Sequence, residues 1–448
     1  MILLMFLLLV TPIVMTNHIA RTLRQNHVRV IDLGVVFIWI IFLYAFLPML
    51  GIWLAGLDIG ALADDRLGKK VPDPSLVLGV GASYAAFMMG FAWVYSRQRI
   101  PHSHKELVWQ LPTSADFISI VALVVIIKFG LLLLRFFFAA GVPNDYITSY
   151  TVYRGQPIVI QQLAGALTTV DLAATVLLIV VTVAYMRRFY WLIAALLVLQ
   201  IVIAVAGGGS RTSAFLCAFA FVVALTVYNR SLRPWLLAAL ATGGVVAFLI
   251  AGQTRAEFDA GEGPISLQLL QGGEFLALFD NSLDLMSRVR DDNVFLPLRV
   301  QMYLVDVLRL IPQQVIGYLK VDPAAFYAST FYPTYSDAGG GWAFGAIAEC
   351  TIGFGWPEAL VRGALLGWLY AAIANRCLLS QLTVVRVFVY VWFVVESYQS
   401  VRDTTFSTIA LFVTRVLPLL IVLRLTGTLR NVKRLRGIVR PTTYLQRL

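Results

Sequence analysis

Stretches of about 20 apolar residues, separated by short polar or basic links, recur along the whole chain. They lie near 1–17, 30–54, 75–95, 116–140, 162–186, 189–206, 212–229, 235–252, 356–375, 382–398 and 405–425. A helix rises about 1.5 Å per residue, so roughly 20 residues cross the hydrocarbon of a bilayer. The pattern therefore predicts an all-α, polytopic membrane protein of about eleven spans. The first stretch has the length of a signal-peptide core. It lacks a basic segment before it and a small-residue cleavage site after it, so it is expected to remain a helix.

The links carry a second pattern. Arg21, Arg24 and Arg29 follow the first stretch, and Arg97, Arg99 and Lys105 the third. Arg187 and Arg188 follow the fifth, Arg230 and Arg233 the seventh, Arg376 the ninth, and a basic tail the eleventh. Every second link is basic, which places those links in the cytoplasm and the amino terminus outside. Arg66, Lys69 and Lys70 break the rule in an outer link, where Asp58, Asp64, Asp65 and Asp73 dilute them. The chain is expected to be one membrane domain, 1–448, with a basic cytoplasmic tail at 426–448. The stretch 253–341 becomes one large outer loop, periplasmic if the membrane is a bacterial inner one. It holds eleven acidic residues against six basic ones, opposite in sign to the rest of the chain. Within it, 295–311 is apolar except for one narrow arc of charge, the pattern of an amphipathic helix lying on the membrane surface.

Composition narrows the classes. Of 448 residues, 59% are hydrophobic and 13% charged, whereas soluble domains carry about 25% charged residues. The net charge of +11 raises the question of nucleic acid. Its densest run, Arg430, Lys433, Arg434, Arg436, Arg440 and Arg447, directly follows an apolar span and fits an anchor on anionic lipid. No nucleic-acid-reading motif accompanies it, so no nucleic-acid partner is expected. The four histidines, His18, His27, His102 and His104, all lie in the first quarter, on the cytoplasmic side by the link rule. Outer-face histidine chemistry is thereby excluded. Cys217, Cys350 and Cys377 fall at different depths, which disfavours a disulfide. No phosphate-binding or dinucleotide loop is present, and no metal or other cofactor is expected.

The positive signal is a set of arginines in or beside the spans. Gly207-Gly208-Gly209-Ser210-Arg211 opens the seventh span, where free N–H groups and the helix dipole favour an anion and Arg211 adds a planar fork. A tight hairpin with a snorkelling arginine is the plainer reading. Arg402 lies in the last outer link, Val401-Arg402-Asp403-Thr404-Thr405; Arg255 follows the eighth span, and Arg154 sits in an aromatic outer loop. Arg415 and Arg386 fall inside spans, where a cation needs a cavity or a partner. Lys128, Arg135, Asp171 and Glu396 lie in or near spans too, and some of these groups are expected to be structural ion pairs. Several cations at one membrane face imply an anion there, the simplest being a lipid-linked phosphate or diphosphate. A second signal is Tyr332-Pro333-Thr334-Tyr335-Ser336-Asp337-Ala338-Gly339-Gly340-Gly341-Trp342. Its aromatic faces could stack on a sugar, or serve as an interfacial aromatic belt.

The order of these features, Gly-Gly-Ser-Arg at 208–211, a long outer loop, an Asp/Gly/aromatic segment and Arg402-Asp403, resembles the Wzy-type oligosaccharide repeat-unit polymerases. The resemblance extends over about 140–425. It implies a metal-independent, inverting glycosyltransferase of the bacterial inner membrane whose active site opens to the periplasm. Such an enzyme moves a growing glycan from its polyprenyl (undecaprenyl) diphosphate carrier onto a new lipid-linked repeat unit in lipopolysaccharide O-antigen synthesis. It further implies membrane lipids and the lipid-linked oligosaccharide as partners, and leaves a chain-length regulator open. By this likeness Arg211, Arg402 and Arg255 would hold the diphosphate; Arg154 and Arg415 join them as candidates from their places in or beside the spans, and Tyr332, Tyr335 and Trp342 are the candidates for the glycan. An arginine-rich loop of some family members is reduced here to Arg154.

Attack by a sugar hydroxyl calls for a proton acceptor, and Asp337, Glu349, Glu396 and Asp403 are the candidates. Asp403 and Asp337 are favoured because each adjoins a matched segment. Arg362 and Arg376, near other span ends, are expected to tolerate alanine. O-antigen ligase is an alternative within the same chemistry, but it relies on an outer-loop histidine and residues 105–448 contain none. A flippase or transporter is the alternative from another class; it would use midplane charges and internal repeats, which the sequence does not display.

Overall fold

The computed structural model describes residues 1–25, 30–54, 74–99, 109–111, 114–139, 158–185, 195, 211–228, 274–291, 308, 323–333, 344–378, 382–426 and 433–435. They form α1 (Ile2–Gln25), α2 (Leu33–Leu54), α3 (Pro74–Gln98), α4 (Ser114–Ala139), α5 (Ile158–Tyr185) and α6 (Arg211–Val227). There follow α7 (Glu274–Asp291), α8 (Pro323–Phe331), α9 (Ala346–Ile352), α10 (Trp356–Leu378) and α11 (Val384–Glu396). The last helical run is α12 (Gln399–Arg402), α13 (Ser407–Leu411), a π turn at Phe412–Val416, and α14 (Leu417–Leu425). Three short strands complete the set: β1 (Trp109–Leu111), β2 (Leu382–Thr383) and β3 (Lys433–Leu435).

The fold is all-α. Among the described residues, six helical segments are long and apolar enough to cross a membrane: Ile2–Arg24, Leu33–Leu50, Pro74–Gln98, Ala115–Leu133, Val384–Arg402 and Ser407–Leu425. Thr169–Ala184 and Phe215–Val227 are shorter apolar helices. Their outward faces are apolar, as at Leu3, Phe6, Val125, Ile126 and Leu425, all exposed. Contiguous apolar surface on this scale is a poor match for water and a good one for lipid. The stretches expected at 189–206 and 235–252 lie outside the described residues, apart from Ala195.

One end of the bundle is tied by polar contacts. Asp32 precedes α2 and accepts from the backbone N–H groups of Gly34 and Val35, capping the helix. It also accepts from the Tyr95 hydroxyl at 2.7 Å and from Arg99 at 3.3 Å. Arg99 donates in turn to Asn375, at the end of α10. The Tyr390 hydroxyl of α11 donates to Ile31 O, and Ile31 N–H donates to Thr226 at the end of α6. At β1 the connector after α3 pairs in parallel with β2 and antiparallel with β3 of the basic tail. The described links after the first, third, seventh, ninth and eleventh stretches therefore share one end, as the alternation of basic links requires.

The tightest helix pair is α3 with α10, which run parallel. A Cβ on Gly363 would collide with the carbonyl of Phe87, and one on Gly90 with that of Leu360; at Gly367 it would approach Phe91 O to 2.6 Å. Small residues let two backbones approach closely and gain van der Waals contact that lipid cannot supply. Gly363→Ala is expected to destabilise the protein by about 1–3 kcal/mol, the usual cost of overpacking. A thermal melt of the purified protein measures this, and an unchanged melt would contradict the close approach.

The 253–341 stretch contains α7, which is amphipathic and packs on α2, α3 and α9. Phe279 stacks on Tyr84 with ring centroids 5.9 Å apart, and Leu278 and Leu283 join the main core. The surface helix expected at 295–311 lies outside the described residues, save Leu308.

Candidate functional site

The site is built where the chain stops being apolar, between α11 and α13. Residues 396–408 read Glu-Ser-Tyr-Gln-Ser-Val-Arg-Asp-Thr-Thr-Phe-Ser-Thr, and hydroxyl side chains of this kind compete with helical hydrogen bonding. The helix breaks here. Ser397 donates to Val394 O at 2.9 Å, Ser407 to Gln399 O at 2.7 Å and Thr408 to Glu396 O at 3.0 Å. Ser400 lies 2.8 Å from Thr408 and 3.1 Å from the Tyr370 hydroxyl of α10. Ser397, Ser400, Thr404, Thr405, Ser407 and Thr408 are buried, so the link is folded into the bundle. Such a break inside apolar surroundings is tolerated only where protein or a cavity satisfies the backbone.

The short helix α9 supports the break from below. Gly345 precedes it with φ of 89°, a left-handed conformation that favours glycine, and a Cβ there would meet Leu278 and Val401 O. Glu349 of α9 accepts from both the N–H and the hydroxyl of Thr405, at 3.0 and 2.8 Å. Its other oxygen is 2.9 Å from Arg362 Nη1. Arg362 Nε donates to Glu358 at 2.6 Å and its Nη1 to Thr405 at 3.2 Å. The second Glu358 oxygen accepts from Phe354 N–H, and a Cβ on Gly353 would strike this carboxylate. One guanidinium thus joins α9, α10 and the link. The expectation that Arg362 tolerates alanine is corrected here: its side chain is 8% exposed and sits between two carboxylates, one of them fully buried.

Of the diphosphate candidates, Arg402 and Arg415 converge. Arg415 lies on the π turn, and such turns inside helices often mark functional positions. Its Nη1 is 3.6 Å from Glu396, a fully buried carboxylate at the end of α11. Arg402 and Gln399 lie in the field of the same carboxylate. Arg402 and Asp403 are both half-buried at the surface of the link. Arg211 is the first residue of α6, and its side chain is outside the described set. Arg154, Arg255, Asp337, Tyr335 and Trp342 lie outside the described residues as well.

Tyr332 is described and lies across α9 from the break. It is 4% exposed, packed with Leu285, Tyr327, Phe344 and Ile352. Its hydroxyl donates to Asp284 at 2.7 Å and accepts from Arg288 at 2.8 Å. Tyr327 donates to the same Asp284 oxygen, and the Arg288 guanidinium lies over the Phe331 ring. Burial first, and the Asp284 carboxylate after it, push both phenols above the ordinary tyrosine range. The open stacking face expected of Tyr332 gives way to a buried clamp between α7 and the end of α8.

Lys128 and Asp171 form an ion pair at 2.7 Å between α4 and α5, one of the structural pairs foreseen within the spans. All three cysteines are free and buried. Among the described residues, no group of three or more His, Cys, Asp or Glu side chains could hold a metal ion. Sequence reasoning missed the Glu349–Arg362–Glu358 network. The four-residue spacing of Glu358 and Arg362 was the available signal.

Comparisons of the chain with protein-family models, with curated proteins and with solved structures gave no match. Function therefore rests on the site. Two guanidiniums and a carboxylate stand at a hydroxyl-lined helix break between apolar helices. In a low-dielectric setting, such forks are suited to an anion carried by a lipid.

Proposed function

We propose that the chain is a Wzy-type oligosaccharide repeat-unit polymerase of the bacterial inner membrane, transferring a glycan from polyprenyl diphosphate to a lipid-linked repeat unit on the periplasmic side. The observation that carries this reading is the inward-folded link 396–408, with Arg402 and Arg415 beside one buried carboxylate. Departure of diphosphate develops negative charge, and preorganised guanidiniums in a partly dry site stabilise it most. The polar loop segment, the last-link Arg402-Asp403 and Arg211 at a helix start supply the rest of the support.

A lipid-linked oligosaccharide flippase is the second reading, favoured by the Lys128–Asp171 pair held between two helices, since charged groups within spans are used along transport pathways. The two differ in phenotype. A strain lacking a polymerase still makes lipid A-core bearing a single repeat unit, whereas loss of a flippase removes all repeats. In the purified system, polymerisation of lipid-linked repeats is expected to proceed in EDTA. Loss of activity with chelator and recovery with Mg²⁺ or Mn²⁺ would overturn the metal-independent mechanism.

A further inference from the structure

Among the described residues, the buried carboxylates of Asp32, Asp284, Glu349 and Glu358 and the part-buried one of Asp171 each accept at least one hydrogen bond, from backbone N–H groups, hydroxyls or cations. Glu396 differs. Its side chain is fully buried, and neither carboxylate oxygen has a hydrogen-bond partner of ordinary geometry; the Gln399 side chain approaches it only as a weak donor. Arg415 approaches only to 3.6 Å, against 2.6–3.3 Å in the other buried ion pairs. A buried polar group left unsatisfied in this way calls for a reason other than stability. The structural roles of its neighbours are already filled: Glu349 holds Thr405 and Arg362, and Thr408 is held by the Glu396 backbone carbonyl and Ser400.

We propose that Glu396 is the proton acceptor of the glycosyl transfer, an assignment that rests on the polymerase reading above. In the step, the acceptor hydroxyl oxygen bonds to the anomeric carbon. The bond from that carbon to the carrier diphosphate breaks, and its electron pair leaves with the diphosphate. The hydroxyl proton passes to the Glu396 carboxylate. Arg415 is 28% exposed, so its guanidinium has room to turn from Glu396 toward the diphosphate and uncover the carboxylate. Arg402 at the end of α12 lies within the electrostatic reach of the same carboxylate, and the Gln399 side chain approaches it. On the far side, Cys217 of α6 lies in the field of Glu396 and of the Lys128–Asp171 pair. Asp403, one of the two carboxylates that the sequence favours, is half-buried on the link beyond Arg402.

The experiment compares the full-length wild type, Glu396→Gln and Glu396→Asp in lipid nanodiscs. Single-turnover and steady-state polymerisation of lipid-linked repeat units is followed across pH, with thermal melts alongside. Glu396→Gln is expected to lose about 10²–10⁴ in kcat, the usual range for a general base. KM should change little, and the fall in kcat at acid pH expected of the wild type should disappear. Glu396→Asp, one methylene short, should keep part of the rate and the acid limb. A folded Glu396→Gln enzyme with wild-type kcat would overturn the assignment. So would a rise in KM with an unaltered pH profile, which marks a binding role. If Glu396→Gln does not fold, Glu396→Asp decides: a kcat equal to wild type overturns the proposal. Failure of the wild type itself to polymerise would bring down the polymerase reading, and this assignment with it.

Discussion

Arg362→Ala is expected to abolish most of the folded protein, with a loss of about 3–5 kcal/mol, the usual cost of removing one partner from a buried ion pair. The magnitude follows from what is left behind. Glu349 is fully buried and Glu358 is 8% exposed, and both would lose the guanidinium that joins them. Arg362 also donates to Thr405, so the link carrying Arg402 would lose one of its supports. Folded yield by gel filtration and a thermal melt in detergent report the effect. Arg376→Ala, at an exposed position near the other end of α10, serves as the comparison and should melt like wild type. The charge argument has its own test. Arg362→Met combined with Glu349→Gln and Glu358→Gln removes cation and anions together, and should recover part of the lost stability. If Arg362→Ala alone folds as well as wild type, the network is not what holds α9, α10 and the link together.

Much of the helical framework was legible because a membrane makes the hydrophobic pattern nearly sufficient. Described helices occupy the expected stretches at 1–17, 30–54, 75–95, 116–140, 162–186, 212–229, 356–375, 382–398 and 405–425. The shared end of the basic links was legible from arginine positions alone. The fate of the link 396–408 was not. Its sequence is polar, and polar links between spans ordinarily face water; its burial rests on partners from elsewhere in the chain, among them Glu349, more than fifty residues away, Arg362 and Tyr370. Arg362 was misjudged for the same reason. Its partner Glu358 was visible four residues upstream, but Glu349 comes from a separate helix that turns back through Gly353 and Gly355. Helix α7 was hidden in a stretch too polar to look buried. Asp284 and Arg288 find partners in Tyr327 of α8 and in Tyr332 just after it, and that pairing has no local sequence signal.

Arg402→Ala and Arg415→Ala should each lower polymerisation by roughly 10²–10³, the loss typical of one donor aimed at developing charge. The two arginines reach the site differently, which makes the pair informative. Arg402 comes from the broken link, while Arg415 comes from the π turn that follows α13. Lysine keeps the charge but not the planar fork, so Arg→Lys should fall between alanine and wild type at both positions. Arg211→Ala, at the start of α6, should behave alike if the helix start completes the diphosphate site. Protein level must be followed with turnover, because Arg415→Ala also strips Glu396 of its nearby cation and could cost stability. Full polymer from well-expressed alanine variants would remove both arginines from the site. Parallel loss of protein and polymer would make them structural. A drop in turnover with an unchanged melt is the outcome expected of groups that act in the reaction and not in folding.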